Sequence, residues 1–307
     1  RCLRISREWA KERRQWGSAI GKHEAIASKL GQMASTVFAM EAMVWLASAL
    51  VDRKTTDVRL EAAIAKLFCS EACWRIVDET VQIRGGRGYE SADSLRARGE
   101  SPYPVERIMR ESRINLIIEG TSEIMRLFIA REALDAHMRL VGSVLDAKQP
   151  TPVKLQALMQ AMAYYAAWWP RQWAGLCLVT SRQAFGPLAT HMRVVERASH
   201  RLALALFHSA VRHQAKLAYR QRLLGRLVDI GAELFAMTAV CSKAASFSPA
   251  HPNREGAVEL ADLFCRQARR RVLALFSDLQ HNDDRRVYHA AQAVMGDRYR
   301  WLEEGIL

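Results

Sequence analysis

Residues 23–52 read HEAIASKLGQMASTVFAMEAMVWLASALVD, and in them Ile26, Leu30, Met33, Val37, Met40, Val44, Ala47 and Val51 recur at steps of three and four. That period gathers the apolar side chains on one face of a helix about eight turns long. The stretch from Thr56 to about Ile83 repeats the pattern through Leu60, Ile64, Leu67 and Ile76. Only the polar turn Asp52-Arg53-Lys54-Thr55 lies between them, so the two helices are expected to pack antiparallel.

Farther out the texture stays helical. The 307 residues are 50% hydrophobic and 25% charged, with only 8 prolines and 16 glycines. Those proportions exclude a disordered tail or a fibrous repeat, and they favour helices over turn-rich β-structure. The expected class is all-α, an up-down helical bundle followed by a second helical bundle. Val105 to about Ile117 and Ser122 to about Leu140 read as further helices of the first bundle, which covers 1–140. Residues 141–152 read as a linker on the strength of GSVLDAKQPTP, and 153–307 as an accessory bundle with helices near 153–180, 187–224, 226–247, 257–279 and 285–302. The chain opens on Arg1 inside RCLRISREWAKERRQWG, which reads as the later part of a helix. It is therefore expected to be the C-terminal portion of a longer protein.

The formal net charge is +13, and the basic excess is larger in the second half. Such a surface attracts anionic lipid, nucleic acid or an acidic cofactor, but no zinc-finger spacing or RNP-type aromatic motif accompanies it, so nucleic acid is not expected. Six cysteines, Cys2, Cys69, Cys73, Cys177, Cys241 and Cys265, lie mostly among apolar neighbours with no CxxC, which reads as core packing in a reducing compartment. No metal site is expected: no HExxH is present, and His200, His208 and His213 read as surface or core-edge residues. No membrane-spanning segment is expected either.

Three stretches could carry chemistry. Glu119-Gly120-Thr121-Ser122-Glu123 lies between two helices, after the apolar run Leu116-Ile117-Ile118. Desolvation there can raise a carboxylate toward the range of a useful general base, although a first-turn acid supporting the next helix dipole has the same pattern. Thr121 is the expected N-cap. Gln82-Ile83-Arg84-Gly85-Gly86-Arg87-Gly88 contains GGxG, which admits close approach by a phosphate or flat ring, or simply ends a helix. Arg13-Arg14-Gln15-Trp16-Gly17 is a turn that could grip an anion, or a basic surface end with a packed Trp.

Order and spacing decide among these alternatives. ERRQWGSAI, QIRGGRGY, PVERIMRESRI and IIEGTSEIMR follow one another as four motifs over residues 1–140. Together they resemble the C-terminal helical domain of the acyl-CoA dehydrogenases. The resemblance implies FAD-dependent α,β-dehydrogenation of fatty acyl-CoA thioesters to trans-2-enoyl-CoA in fatty acid β-oxidation. Glu119 matches the catalytic base, and its backbone N–H matches the donor to the thioester oxygen, with Gly120 beside the substrate. Arg13 matches the arginine of the FAD pyrophosphate, with Trp16 where Phe is usual. Gln82 and Gly86 match positions that reach FAD from a neighbouring subunit. Thr121 and Glu123 match residues near the adenosine and pyrophosphate, at a helix N-terminus.

Three departures stand out. Ile118 precedes the base where an aromatic residue is common, Glu111 replaces Asp, and SADSLRARGESPY lengthens the connection between Tyr89 and Pro104. The length and helical character of 141–307 are similar to the extra C-terminal domain of the very-long-chain members, which implies a long acyl chain. Within it, Tyr164, Tyr165, Trp168, Trp169 and Trp173 near Arg171 suit either a bilayer interface or a buried domain contact. The implied partners are an electron-transfer flavoprotein as acceptor and a second copy of the chain, in a dimer or tetramer. The implied location is cytoplasmic in a bacterium, with peripheral contact at the inner membrane, or the mitochondrial matrix in a eukaryote. Two rival functions are an acyl-CoA oxidase, against which EGTSEI speaks, and a non-catalytic helical module for assembly or membrane docking.

Overall fold

The computed structural model describes residues 1–54, 57–145, 149–173 and 182–305. Helix α1 (Cys2–Glu12) leads into a hairpin, β1 (Arg14–Gln15) and β2 (Ser18–Ala19), paired antiparallel. Its two-residue turn places Trp16 at φ 47° and Gly17 at φ 81°, as a hairpin that follows strand twist requires. Then come α2 (Glu24–Arg53), α3 (Arg59–Arg84), α4 (Gly86–Tyr89), α5 (Ala92–Ala97), α6 (Val105–Arg113) and α7 (Ser122–Leu145). The second half holds α8 (Thr151–Trp173), α9 (Arg182–Phe185), α10 (Ala189–His213), α11 (Gln221–Ser246), α12 (Arg254–Asp278) and α13 (Asp284–Met295).

α2 and α3 run antiparallel. Lys29 pairs with Glu79, Met33 packs near Ile76, and the Cys69 thiol faces the Met40 carbonyl, so the two residue numbers move in opposite directions. Part of the turn joining them, Thr55 and Thr56, lies outside the described residues. α2 is apolar and long enough by composition to cross a bilayer, with mean hydropathy 1.6 over its most apolar stretch, a property it shares with core helices of soluble proteins. Here it serves as a core helix: Phe38, Ala39, Ala42 and Met43 are buried, and Lys243 of α11 pairs with Glu41.

One apolar core runs through both halves. Phe38, Leu67, Phe68, Ile129 and Leu134 belong to the same buried cluster as Val228, Ile230, Met237, Val240, Phe264 and Val272. α11 is its axis, buried along most of its length between α2, α7, α10 and α12. Phe68 of α3 meets Phe264 of α12 edge to face, with ring centres 6.1 Å apart. Against α12, α11 runs antiparallel: Arg271 holds Glu233 through two hydrogen bonds of 2.5 and 2.8 Å, and the buried thiols of Cys241 and Cys265 lie 3.7 Å apart. Cys69 is a core thiol pushed up to about 11 by burial, whereas Cys177 lies outside the described residues.

Several boundaries differ from those read off the sequence. The connection expected over 141–152 is shorter: α7 continues to Leu145 and α8 begins at Thr151, while 146–148 lie outside the described residues, as do 174–180 of the helix expected to reach 180. The chain breaks near Gln214 (φ 45°) and turns through a 3-10 segment at Gln214–Tyr219, so α11 starts before Gly225. Gly225 is helical and faces Arg126 of α7, where a Cβ would lie 3.4 Å from the Arg126 Cδ. The segment from Glu90 to Pro104 folds down as α5 and a strap. Leu95 is fully buried, Arg87 and Glu100 form a double hydrogen bond, and the Tyr103 hydroxyl donates to Glu8 at 2.7 Å.

Candidate active site

The residues singled out from the sequence fall into two groups at opposite ends of α3. The first lies at its C-terminal end, where Arg13, Gln15, Gln82, Arg84, Gly85 and Gly86 line a cleft of about 300 Å³ with Trp9. Each glycine here has its own physical reason. Gly85 caps α3 at φ 60°, where a side chain is strained. Gly88 lies against α3: an added Cβ would fall 2.6 Å from the Val81 carbonyl oxygen. Gly86 has neither constraint, since a Cβ there would meet nothing within 4 Å. Its side would be filled only by something that enters the cleft.

Arg84 forms the floor. Its side chain is buried between two rings, with the guanidinium carbon 4.7 Å from the Trp9 centroid and 5.5 Å from that of Tyr103. Burial pulls its pKa down, Glu100 opposes that, and its Nε is buried without a hydrogen-bond partner among the described residues. Arg13 is exposed at the rim, where its amide caps α1 on the Trp9 carbonyl at 2.8 Å and its own carbonyl accepts from Ile20. An exposed cation, a buried one and an open glycine face suit a phosphorylated, flat ligand. Trp16 does not join them: it is 90% exposed, edge-on to His23 at 5.6 Å, which corrects the reading of a packed Trp. The local turn needs the positive φ, and nothing among the described residues covers the ring.

The second group surrounds the head of α7. Glu119 (φ 54°) and Gly120 (φ 93°) are consecutive left-handed residues, a costly arrangement for a glutamate. Lys66 of α3 holds the turn, donating from Nζ to the Gly120 carbonyl at 2.6 Å and to the Ile118 carbonyl at 3.4 Å. Thr121 caps α7: its Oγ1 accepts from the Ile124 amide at 3.3 Å. The Glu123 carboxyl is held below its ordinary range, first by its own backbone N–H and then by the Thr121 hydroxyl. Ser122 Oγ is buried there without a partner among the described residues.

Glu119 itself is exposed, which corrects the expectation that the preceding apolar run desolvates it. Ile114, Ile117 and Ile118 face outward, as do Ile124 and Phe128 on α7. The run therefore forms an open apolar surface beside the carboxylate, and no element among the described residues covers it. Lys66 and Gln82 are sixteen positions apart on α3, so the two groups stand about 24 Å from each other along the helix. Sequence reasoning missed Lys66, Arg84 and Arg126. Lys66 lies on a helix whose period marks only its apolar face; Arg84 and Arg126 sit inside quoted motifs, yet their partners are remote in sequence.

Comparisons with known proteins identify the family. Residues 1–134 match the family model described as acyl-CoA dehydrogenase, C-terminal domain, and 187–298 match that described as ACAD9/ACADV, C-terminal domain. The whole chain aligns at 49% identity with 47% of the probable acyl-CoA dehydrogenase FadE10 of Mycobacterium tuberculosis. It aligns over 88% of its length, at 32% identity, with 40% of the human mitochondrial very long-chain specific acyl-CoA dehydrogenase. The chain thus spans about half the length of these relatives. In fold it is similar to an acyl-CoA dehydrogenase complexed with FAD from Bacillus anthracis, with a TM-score of 0.67 and 24% identity over 92% of this chain and 47% of that one. Two family models in sequence order, and relatives aligned across both, lead to one conclusion: the chain belongs to the acyl-CoA dehydrogenase family, as its C-terminal helical domain followed by the C-terminal domain of its very-long-chain branch.

Proposed function

We propose that the chain is the C-terminal portion of an FAD-dependent acyl-CoA dehydrogenase that converts long-chain acyl-CoA to trans-2-enoyl-CoA. The observation that carries this reading is the Glu119 turn, a carboxylate presented on two left-handed residues, pinned by Lys66, beside an uncovered apolar face. Glu119 takes the α-proton of the thioester onto its carboxylate, and its backbone N–H donates to the thioester oxygen as negative charge grows there. Bound FAD supplies the acceptor for the hydride that leaves the β-carbon. Ile117, Ile118, Ile124 and Phe128 lie against apolar substrate or a covering domain, which excludes water and supplies the desolvation that the isolated chain lacks.

The residues fit FAD. Arg13 and Arg84 would balance pyrophosphate charge, Gly86 leaves room for close approach, and Gln82 offers an amide to a polar edge. Thr121 and Glu123 would border the same type of cofactor at the α7 N-terminus. With about 24 Å between the two groups, a second copy of the chain supplying Gln82 and Gly86 is the simplest arrangement, so the enzyme works as a homo-oligomer. An electron-transfer flavoprotein takes the electrons onward.

α8 supports a peripheral membrane contact. Tyr165 and Trp168 pack against His137 and Phe207, whereas Val153, Leu155, Leu158, Met159 and Met162 face outward. Lys154 and Arg171 are its only formal charges, a composition suited to an anionic bilayer surface. The enzyme then belongs in a bacterial cytoplasm at the inner membrane, or in a mitochondrial matrix. Glu119→Gln in the full-length enzyme tests the base: FAD stays bound and flavin reduction by hexadecanoyl-CoA slows by about 10³-fold. Turnover near the wild-type value would remove Glu119 from this role.

A further inference from the structure

Arg126 closes the IIEGTSEIMR motif, one turn into α7 from the residues just described. Its guanidinium is mostly buried and reaches three places at once. It donates to Glu71 of α3 at 2.8 and 3.1 Å, to Asp229 of α11 at 2.8 Å, and to the Ser122 carbonyl in the first turn of its own helix at 3.4 Å. Glu71 and Lys66 are both on α3, so the Glu119 turn and the head of α7 are tied to one helix at two points. Asp229 is different, because it comes from the accessory bundle. Burial raises its carboxyl and Arg126 is what chiefly opposes that, whereas the burial of Arg126 is offset first by Glu71 and then by Asp229. Gly225 of α11 lies beside the Arg126 side chain, where a Cβ would stand 3.4 Å from its Cδ, in ordinary contact.

The geometry points to Asp229 as a positioning residue: the accessory bundle orients Arg126, and through Arg126 the first turn of α7 and the Glu119 backbone, for dehydrogenation. This rests on the function proposed above. Arg126 can hold Glu71 in more than one orientation of its planar fork. The second carboxylate, approaching Nε from the other side, fixes which one leaves a donor aimed at the Ser122 carbonyl. A shift of a few tenths of an ångström at Ser122 is transmitted along the chain to Gly120 and Glu119, two and three residues before it. Proton abstraction depends steeply on such placement, while overall substrate binding does not.

The test uses the full-length, FAD-loaded enzyme, with hexadecanoyl-CoA as substrate and turnover expressed per bound flavin. Asp229→Asn is expected to lower kcat roughly fivefold or more with KM within about twofold, and Asp229→Glu to recover most of the loss. Glu233→Gln breaks the Arg271 pair one turn further along α11, which makes no hydrogen bond or ion pair to α7 among the described residues, and it is expected to lower the thermal midpoint while leaving kcat unchanged. Near-wild-type turnover in Asp229→Asn, or equal losses of kcat in Asp229→Asn and Glu233→Gln, would overturn the assignment. If Asp229→Asn does not retain flavin, Arg126→Lys takes its place under the same criteria, because it keeps the charge and loses the fork. Wild-type enzyme whose flavin is not reduced by the acyl-CoA would instead refute the parent function, independently of any variant ratio.

Discussion

Gly86 and Gly88 sit two residues apart in one turn, yet only one is required by the fold. A side chain at Gly88 collides with the Val81 backbone, which cannot move aside without unwinding the end of α3. Gly88→Ala is therefore expected to cost about 2–3 kcal/mol of stability by denaturant unfolding. Gly86→Ala meets open space and should leave stability within about 0.5 kcal/mol, while weakening FAD retention in the full-length enzyme. Unchanged cofactor affinity in that variant would detach the cleft from the flavin. Arg13→Ala probes the same cleft from its rim and should likewise release FAD with the fold intact. At Gly120 both constraints operate: φ is 93°, and a Cβ would lie 2.8 Å from the Met125 sulfur, the end of a flexible side chain. Its conformational requirement therefore decides the outcome there, and the sulfur can yield.

Helices were the most legible elements. The three-four period from Ile26 to Val51 predicts a helix over 23–52, against Glu24–Arg53 in the structure, although of that stripe only Met33 is buried and the core face runs through Phe38, Ala39, Ala42 and Met43. What the period cannot carry is the use of a glycine or a proline that breaks no helix. Gly225 ends a helix on paper and lies inside α11 in the structure, while Pro170 sits inside α8. Of the candidate site, residue types were legible from four motifs, but not the apportioning of Arg13, Gln82 and Gly86 to one end of α3 and Glu119 to Glu123 to the other. Contacts such as Lys66 to Gly120, fifty-four residues apart, leave no local pattern. α8 shows how a stretch with two readings divides between them by face. His137 lies 3.0 Å from the Tyr165 hydroxyl, stacks on that ring and is ringed by Tyr164, Trp168 and Phe207. Burial lowers its pKa, so the unfolded chain takes up that proton more readily than the folded one. The α7–α8 contact thus keeps its full strength above the usual histidine value of about 6.5 and weakens as pH falls below it. Hydrogen exchange across residues 155–172, corrected for the intrinsic rate, should rise between neutral and acidic pH, and His137→Phe should flatten that rise. The outward apolar face can be checked separately: binding of the full-length enzyme to anionic vesicles is expected to drop when Leu158 and Met162 are both replaced by Ser.

At the scale of the whole molecule, the two bundles are one cooperative body. Phe38 and Phe68 from the first half share a core with Val240 and Phe264 from the second, and ion pairs such as Lys243–Glu41 and Arg126–Asp229 cross between them. An enzyme ending at residue 145 is expected to expose that shared surface and aggregate, which sedimentation and dye binding would read directly; a soluble, flavin-loaded truncation would show the accessory bundle to be dispensable. The molecule also presents an exposed glutamate on an open apolar face at one end of α3 and an arginine-glycine cleft at the other. Under the proposed function, a second copy and the remainder of the full-length enzyme would complete both. Anaerobic addition of hexadecanoyl-CoA to that protein is the most direct measurement. Loss of the oxidised-flavin absorbance, stoichiometric with enoyl-CoA formed and absent in Glu119→Gln, is the predicted result. A flavin-loaded, folded protein whose spectrum does not change with acyl-CoA of any chain length would contradict it.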